Sequence, residues 1–244
     1  MMPRLDALLV ERGLYATRSR ARDAILRGAV SVEGSVATKP GVAVGADAAV
    51  AVSDAASGYV SRAALKLLHA LDHFALSPEG LQALDLGAST GGFTQVLLER
   101  GARHITAIDV GHGQLDPRLS DDPRVTLVEG LNARDLTRAY LAHAPEVVVA
   151  DLSFISLKVA LPPALSLAAP GARLVALVKP QFEAGREALD GTGVVRDERV
   201  AEAVAREIAR WLEADMGWKV AGLTESPIAG GSGNREFLLL ALKP

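Results

Sequence analysis

The stretch that decides the fold reads Leu81-Gln82-Ala83-Leu84-Asp85-Leu86-Gly87-Ala88-Ser89-Thr90-Gly91-Gly92. Its first half is an apolar run typical of a buried strand, and its second half is a glycine-rich turn. Residues 93–100 continue as a helix pattern that Gly101 ends. Because glycine lets the backbone approach a ligand closely, a strand, a turn and a helix in this order predict a ligand site beyond the end of the strand.

Strand and helix patterns alternate through the rest of the chain. Further apolar runs predict strands at residues 105–108, 125–128, 147–150 and 174–178, and a last strand that starts at Glu236. Helical stretches lie between them. This alternation is typical of a parallel sheet with helices on both faces, so the sequence predicts an α/β, Rossmann-like fold.

Two acidic residues indicate which ligand the glycine turn binds. Asp85 precedes the turn, and Asp109 ends the next strand, where an acid commonly holds a ribose diol. A nicotinamide fingerprint requires glycine where the chain has Ser89, and Asp85 would repel a pyrophosphate. S-adenosylmethionine (SAM) has no phosphate and carries a sulfonium and an ammonium, so we expect SAM rather than NAD. The predicted cofactor contacts are Asp85, Gly87, Ser89, Gly91, Gly92, Phe93 and Asp109.

The beginning of the chain has a different pattern. Leucines at helical spacing predict a first helix, and a second helix, capped by Thr17 or Ser19, is predicted to end at Gly28. Valines at every second position then predict short strands, two of which would contain Val36 and the pair Val42 and Val44.

These elements predict a small α+β domain over residues 1–56. A small, polar linker at residues 53–58 leads into the second domain, which we place at residues 57–244.

Arginines concentrate in the N-terminal domain, although the whole chain has a net charge of −3. Guanidinium groups bind phosphates bidentately, so a helix that presents several of them suits RNA, although a solvated helix face would have the same spacing. The candidate RNA contacts are Arg4, Arg18, Arg20, Arg22 and Arg27.

Composition excludes several classes of protein. The chain has no cysteine, which excludes a disulfide scaffold, a cysteine nucleophile and a thiolate metal site. Its five histidines are scattered, so we expect no metal. The most apolar stretch, residues 164–178, is interrupted by Pro170, Gly171 and Arg173 and is too short to span a bilayer. We therefore expect a cytoplasmic protein with no membrane partner.

Four polar residues stand where elements begin or end. Asp151 and Lys179 each follow an apolar strand directly, and Glu236 starts the last strand. Lys66 lies in an amphipathic helix, on the side opposite the apolar residues, where helical geometry favours solvent exposure. Each could close a strand end with a salt bridge; together, the four are a candidate catalytic set.

Several motifs resemble known families. Residues 4–34 are similar to the small RNA-binding domain of a small-subunit ribosomal protein, and residues 85–95 resemble the SAM turn of FtsJ-like ribose 2′-O-methyltransferases, which also share the order Lys, Asp, Lys, Glu. The combination resembles the TlyA family of ribosomal RNA methyltransferases. That resemblance rests on residues 109–115, 151–157, 179–183 and 234–237 and covers nearly the whole chain. One departure is visible, since Ala63-Ala64 stands where the family usually has two glycines.

The resemblance implies a seven-stranded, mostly parallel SAM-dependent methyltransferase domain. It implies methyl transfer to a cytidine 2′-hydroxyl in 16S or 23S ribosomal RNA or both, with ribosomal RNA or subunits as partner. It also adds Val110, Asn132 and Asp151 to the cofactor site. Because a ribose hydroxyl is a weak nucleophile, we expect Lys179 to act as base and Asp151 to orient it. Lys66 and Glu236 would position the ribose.

Three alternatives stay open. The family has also been called haemolysin, which would make the protein membrane-active. An RNA-binding factor could keep SAM for structure alone. A nicotinamide oxidoreductase is disfavoured by Ser89.

Overall fold

The computed structural model describes residues 2–244 and divides into two compact units, Met1–Gly58 and Tyr59–Pro244. The boundary that the sequence predicts, between residues 56 and 57, lies slightly earlier. Each unit has its own hydrophobic core.

The N-terminal unit consists of two helices and a small antiparallel sheet in the order β2-β1-β3. Leu5, Leu9, Ile25 and Val30 are fully buried between helices and sheet. The Thr17 hydroxyl accepts a hydrogen bond from the Arg20 amide and caps the second helix, as predicted. The elements are α1 (Leu5–Glu11), α2 (Arg18–Leu26), β1 (Val30–Val32), β2 (Ser35–Val36) and β3 (Val50–Val52).

The strand predicted at Val42 and Val44 is wrong. That segment forms only an isolated bridge, between Arg4 and Ala43, and a few backbone hydrogen bonds to residues 3–6. The small sheet of the N-terminal unit, β2-β1-β3, does not include this segment.

The C-terminal unit alternates strands and helices, as the sequence predicts. Its strands are β4 (Gln82–Leu86), β5 (His104–Asp109), β6 (Val125–Glu129), β7 (Val147–Ala150), β8 (Arg173–Val178), β9 (Lys219–Glu225) and β10 (Phe237–Leu242). Its α-helices are α3 (Ala64–His73), α4 (Gly92–Glu99), α5 (Pro117–Ser120), α6 (Leu157–Ala160), α7 (Pro162–Leu167), α8 (Pro180–Glu183) and α9 (Glu198–Ala214).

The seven strands form one sheet in the order β6-β5-β4-β7-β8-β10-β9. Strands β4 to β8 are parallel, and β10 runs antiparallel between β8 and β9. One apolar cluster packs α3 and α4 on one face, and a second packs α6, α7 and α9 on the other. This is the predicted Rossmann-like methyltransferase fold. Nowhere in residues 2–244 is a helix both long and apolar enough to cross a membrane.

Two details of the topology position the site. The strand order reverses between β4 and β7, so a crevice opens between the ends of these neighbours. Because β10 is antiparallel to β8, the beginning of β10 lies at the same sheet edge as the end of β8, with Phe237 opposite Val178. Residues that follow β4, β7 and β8 and the residue that precedes β10 therefore meet at one edge.

Candidate active site

A cavity of about 460 Å³ opens at the strand-order reversal, beyond β4, β5 and β7. A smaller cavity of about 170 Å³ shares part of its wall and extends towards Lys179. Of the predicted cofactor residues, the larger cavity is lined by Gly87, Ser89, Asp109, Val110, Asn132 and Asp151, and the smaller also by Gly92 and Phe93.

The glycine turn packs closely against neighbouring parts of the protein. Gly87 has φ +83°, and a Cβ there would lie 2.6 Å from the carbonyl oxygen of Asp151. Gly91 has φ +99°, and a Cβ there would clash with Leu119. Gly91 lines neither cavity, and the lack of a side chain there lets Leu119 of α5 pack on the turn.

Asp109 anchors the turn from the next strand. Its Oδ2 accepts a hydrogen bond from the Ser89 amide at 2.8 Å, and its Oδ1 accepts one from the Gly111 amide at 2.7 Å. The Ser89 hydroxyl donates to Gln114 Oε1 at 3.0 Å, which makes Gln114 a cavity residue that sequence reasoning missed. Each Asp109 oxygen keeps a second lone pair, which a ribose diol could use.

Asp85 does not line either cavity, which corrects its prediction as a direct cofactor contact. Its side chain is fully buried under the turn, where Oδ2 accepts a hydrogen bond from the Thr94 hydroxyl at 2.6 Å. Burial raises the pKa of Asp85 to about 7, and the negative charge of Asp151 adds to the increase. Asp85 therefore acts on the site through the turn above it.

Lys66 is buried, with 5% of its surface exposed, so the solvent-facing position expected from the helix pattern is wrong. Its Nζ lies 2.5 Å from the Oε2 of Glu236, which is also buried. The other carboxylate oxygen of Glu236 packs against Gly230, where a Cβ would come within 2.5 Å of it. The positive charge of Lys66 and the negative charge of Glu236 offset each other. Either charge alone, buried here, would reduce the stability of the fold.

Lys179 forms the second lysine–carboxylate pair. Its Nζ lies 2.6 Å from Asp151 Oδ1 and donates a hydrogen bond to the Ser153 hydroxyl at 2.8 Å. This Oδ1 is buried, and the Asp151 side chain lines both cavities. Ser153 was not predicted, although it stands two residues after Asp151 in the same loop.

An aromatic side chain projects from the same loop. Phe154 is 91% exposed and has φ +64°, a left-handed conformation that is uncommon for a non-glycine residue. Its ring centroid lies 5.1 Å from that of Phe182, and Phe154 lines the larger cavity. An exposed aromatic ring in a strained backbone beside a cavity indicates a functional constraint.

The charge of the larger cavity fits a cation. Its lining includes the carboxylates of Asp109 and Asp151 but no lysine, arginine or histidine among the described residues. A dinucleotide pyrophosphate would meet negative charge there without a basic partner. A sulfonium and an ammonium suit the acids, so the residues present fit SAM.

The candidate RNA-binding arginines differ in their surroundings. Arg18, Arg20 and Arg22 lie exposed on α2. Arg27 is mostly buried, since its guanidinium donates to both Asp23 and Asp54. Arg27 thus stabilises the N-terminal unit, which corrects its prediction as an RNA contact.

The sheet order, the glycine cradle and the paired acids define a Rossmann-like methyltransferase. Residues 59–243 match the FtsJ-like methyltransferase family, and residues 3–50 match the S4 domain. With the relatives described next, these matches show that the chain belongs to the TlyA family of FtsJ-like methyltransferases.

Three relatives span most of the chain. The 16S/23S rRNA (cytidine-2′-O)-methyltransferase TlyA of Mycobacterium tuberculosis is 46% identical over 97% of this chain and 88% of its own length. Hemolysin A of Brachyspira hyodysenteriae is 39% identical over 96% of this chain and 98% of its own. A solved structure from Streptococcus thermophilus, provisionally called a hemolysin, covers all of this chain and 90% of its own, with 40% identity and a TM-score of 0.78.

Proposed function

We propose that the protein transfers a methyl group from SAM to the 2′-hydroxyl of a cytidine in ribosomal RNA. The observation that carries this proposal is the contact between Lys179 and Asp151 in the wall of the cavities. A second lysine–carboxylate contact, Lys66 with Glu236, is buried and lines neither cavity. The name of the M. tuberculosis relative supports cytidine and both ribosomal RNAs as substrates.

SAM would lie along the larger cavity and supply an electrophilic methyl group. Asp109 would bind its ribose, and Val110 and Asn132 would line the adenosine end. Asp151 lines both cavities and would face the methionine end of SAM, which is positively charged.

Lys179 would remove the proton that the hydroxyl loses. The 2′-oxygen forms its bond to the methyl carbon as the carbon–sulfur bond breaks, and the electron pair of that bond stays on sulfur. The hydroxyl proton passes to the Nζ of Lys179 after that nitrogen has released its own proton to solvent. Asp151 and Ser153 hold that nitrogen in place. Much of the acceleration comes from this alignment.

Lys66 and Glu236 would position the ribose from the other side. Both are buried, and the cradle at Gly230 restricts the Glu236 carboxylate. The exposed Phe154 ring would stack on a base that has left its helix, as aromatic side chains do in RNA recognition.

The S4 unit would bind the RNA around the target nucleotide, with Arg4, Arg18, Arg20 and Arg22 on its surface. A substrate that belongs to the ribosome places the reaction in the cytoplasm. The names of two relatives raise membrane lysis, and no helix in residues 2–244 is long and apolar enough to cross a membrane.

The experiment is methyl transfer from radiolabelled SAM to purified 30S and 50S subunits and to their free RNAs, followed by mapping of the modified ribose. We expect label on a cytidine 2′-oxygen. Label on a base, or SAM binding with no transfer to any of the four substrates, would overturn the proposal. Leakage of dye-loaded vesicles under the same conditions would favour a membrane-active protein instead.

A further inference from the structure

The surface of the N-terminal unit holds two arginines on one carboxylate. Asp6 accepts hydrogen bonds from Arg4 Nε at 3.1 Å and from Arg4 Nη2 at 3.0 Å. Arg18 Nη2 donates to the same Oδ2 at 3.1 Å. Two guanidinium groups from separate elements therefore converge on a single oxygen atom.

Asp6, at the centre of this cluster, is buried, whereas the two arginines around it are exposed to solvent. Asp6 is 3% exposed, but the side chains of Arg4 and Arg18 are 53% and 59% exposed. Each guanidinium has five N–H donors, so most donors of both arginines stay available on the solvent side.

The backbone beneath Arg4 is shaped to receive it. A Cβ on Gly41 would lie 3.1 Å from both terminal nitrogens of Arg4, closer than most side chains allow, so glycine lets the guanidinium lie along the chain there. The Asp6 amide donates to the Pro40 carbonyl at 3.0 Å, and the Leu5 amide donates to the Val42 carbonyl at 2.8 Å. These bonds tie residues 40–42 to the segment that carries Arg4 and Asp6.

Electrostatics explains why the acid is needed. Two adjacent guanidinium groups repel each other, and the buried carboxylate between them offsets this repulsion. The hydrogen bond from Arg4 is the main cause that lowers the pKa of Asp6 to about 2, so Asp6 is charged at neutral pH. The three residues together have a net charge of +1, which matches one phosphodiester.

We propose that Asp6 is a positioning residue that holds Arg4 and Arg18 together as a clamp for a single phosphate of the RNA backbone. This inference rests on the proposed function, because it specifies how the S4 unit binds its RNA. Since the arginines are ordered before RNA arrives, binding does not have to immobilise two long side chains.

The proposal predicts an effect of unusual sign. Asp6→Asn removes a negative charge from an RNA-binding surface, so charge alone predicts tighter binding. The clamp predicts weaker binding, because the arginines separate when the carboxylate charge is lost. We expect the dissociation constant to rise about tenfold, since two arginine side chains must then be ordered on binding. The slope of log K against log salt should fall by about one phosphate contact.

The experiment measures binding of the full chain to refolded 16S and 23S ribosomal RNA transcripts over a series of salt concentrations. Asp47→Asn is the matched control, because Asp47 is exposed and makes no ion pair with residues 2–244. It removes the same charge from the same unit and should leave affinity unchanged or slightly increased. Arg18→Lys keeps the charge but loses the fork, so it should weaken binding as Asp6→Asn does.

Unchanged or tighter binding by a folded Asp6→Asn variant, with normal wild-type binding, overturns the clamp alone. If Asp6→Asn does not fold, Arg18→Lys decides the matter in the same way. A wild-type chain that binds neither transcript would instead count against the proposed function as well.

Discussion

The Nζ of Lys66 lies 2.5 Å from the Oε2 of Glu236, a residue 170 positions further along the chain. Both groups are buried, so each one stabilises the buried charge of the other. This single contact joins α3 to the loop before β10 and brings half of the candidate catalytic set together.

The contact between Lys66 and Glu236 predicts a separation of stability from activity. Lys66→Met leaves a buried carboxylate without a partner and should destabilise the C-terminal unit by about 3–5 kcal/mol. The double variant Lys66→Met/Glu236→Leu should recover most of that stability but no methyl transfer. Denaturant unfolding and transfer assays measure the two effects; transfer by the double variant would show that the pair is structural only.

Lys179→Ala tests the base. Methyl transfer should fall by about 10²–10⁴-fold, the usual contribution of a general base, while SAM affinity changes little. Single-turnover transfer and calorimetric SAM titration measure the two properties. Lys158→Ala is the matched control, since Lys158 pairs with Glu207 outside both cavities. This variant should keep full methyl-transfer activity. Retained transfer by Lys179→Ala would remove Lys179 from the role of base.

Phe154→Ala tests base stacking. We expect turnover of RNA to fall about tenfold or more at saturating SAM, since stacking of a base on an aromatic ring is worth about 1–3 kcal/mol. Val159→Ala, another exposed apolar residue of the same segment, is the control. Equal RNA kinetics for the two variants would count against stacking.

Gly87→Ala tests the close approach of the turn. Both Gly87 and Gly80 have positive φ, but only at Gly87 would a Cβ meet another atom within 4 Å. Each alanine has the backbone cost of a positive φ, about 1–3 kcal/mol, and Gly87→Ala adds a clash with the carbonyl oxygen of Asp151. SAM affinity, measured by calorimetry, should fall only in Gly87→Ala; an equal loss in Gly80→Ala would attribute it to backbone strain.

Asp85 predicts a pH dependence of stability. Its pKa is about 7 in the folded protein and near 3.8 when unfolded, so only the unfolded state ionises between these values. Stability therefore falls as pH rises from about 4 to 7, by of order 4 kcal/mol, and then levels off. Asp85→Asn should remove this slope in unfolding experiments across that range. The same slope in both proteins would show that another group causes it.

The parallel strands were predictable because they are buried on both faces. Continuous apolar runs such as residues 147–150 and 174–178 have few other interpretations between turns. The strand β9 was not identified from its sequence. It is an edge strand with mixed exposure, and Gly222 interrupts its pattern so that Phe74 can pack there.

Part of the site could not be predicted from the spacing of apolar and polar residues in the sequence. The helix pattern of α3 places Lys66 on the polar side, and its burial depends on Glu236, whose position only the sheet topology reveals. The surroundings of the Asp85 side chain could not be predicted either. The pattern of β4 indicates which face of the sheet Asp85 lies on, but not that Thr94 donates a hydrogen bond to it. Asp151 and Lys179 could be predicted, because each directly follows an apolar strand whose end is clear from the sequence.

The antiparallel insertion of β10 also sets an order of events during synthesis. In the described sheet, β9 pairs with β10 and with no other strand. Because β10 is synthesised after β9, β9 stays unpaired until β10 leaves the ribosome. Glu236 emerges in that same segment, at the entrance to β10. A nascent chain therefore has its glycine turn long before it has both lysine–carboxylate pairs.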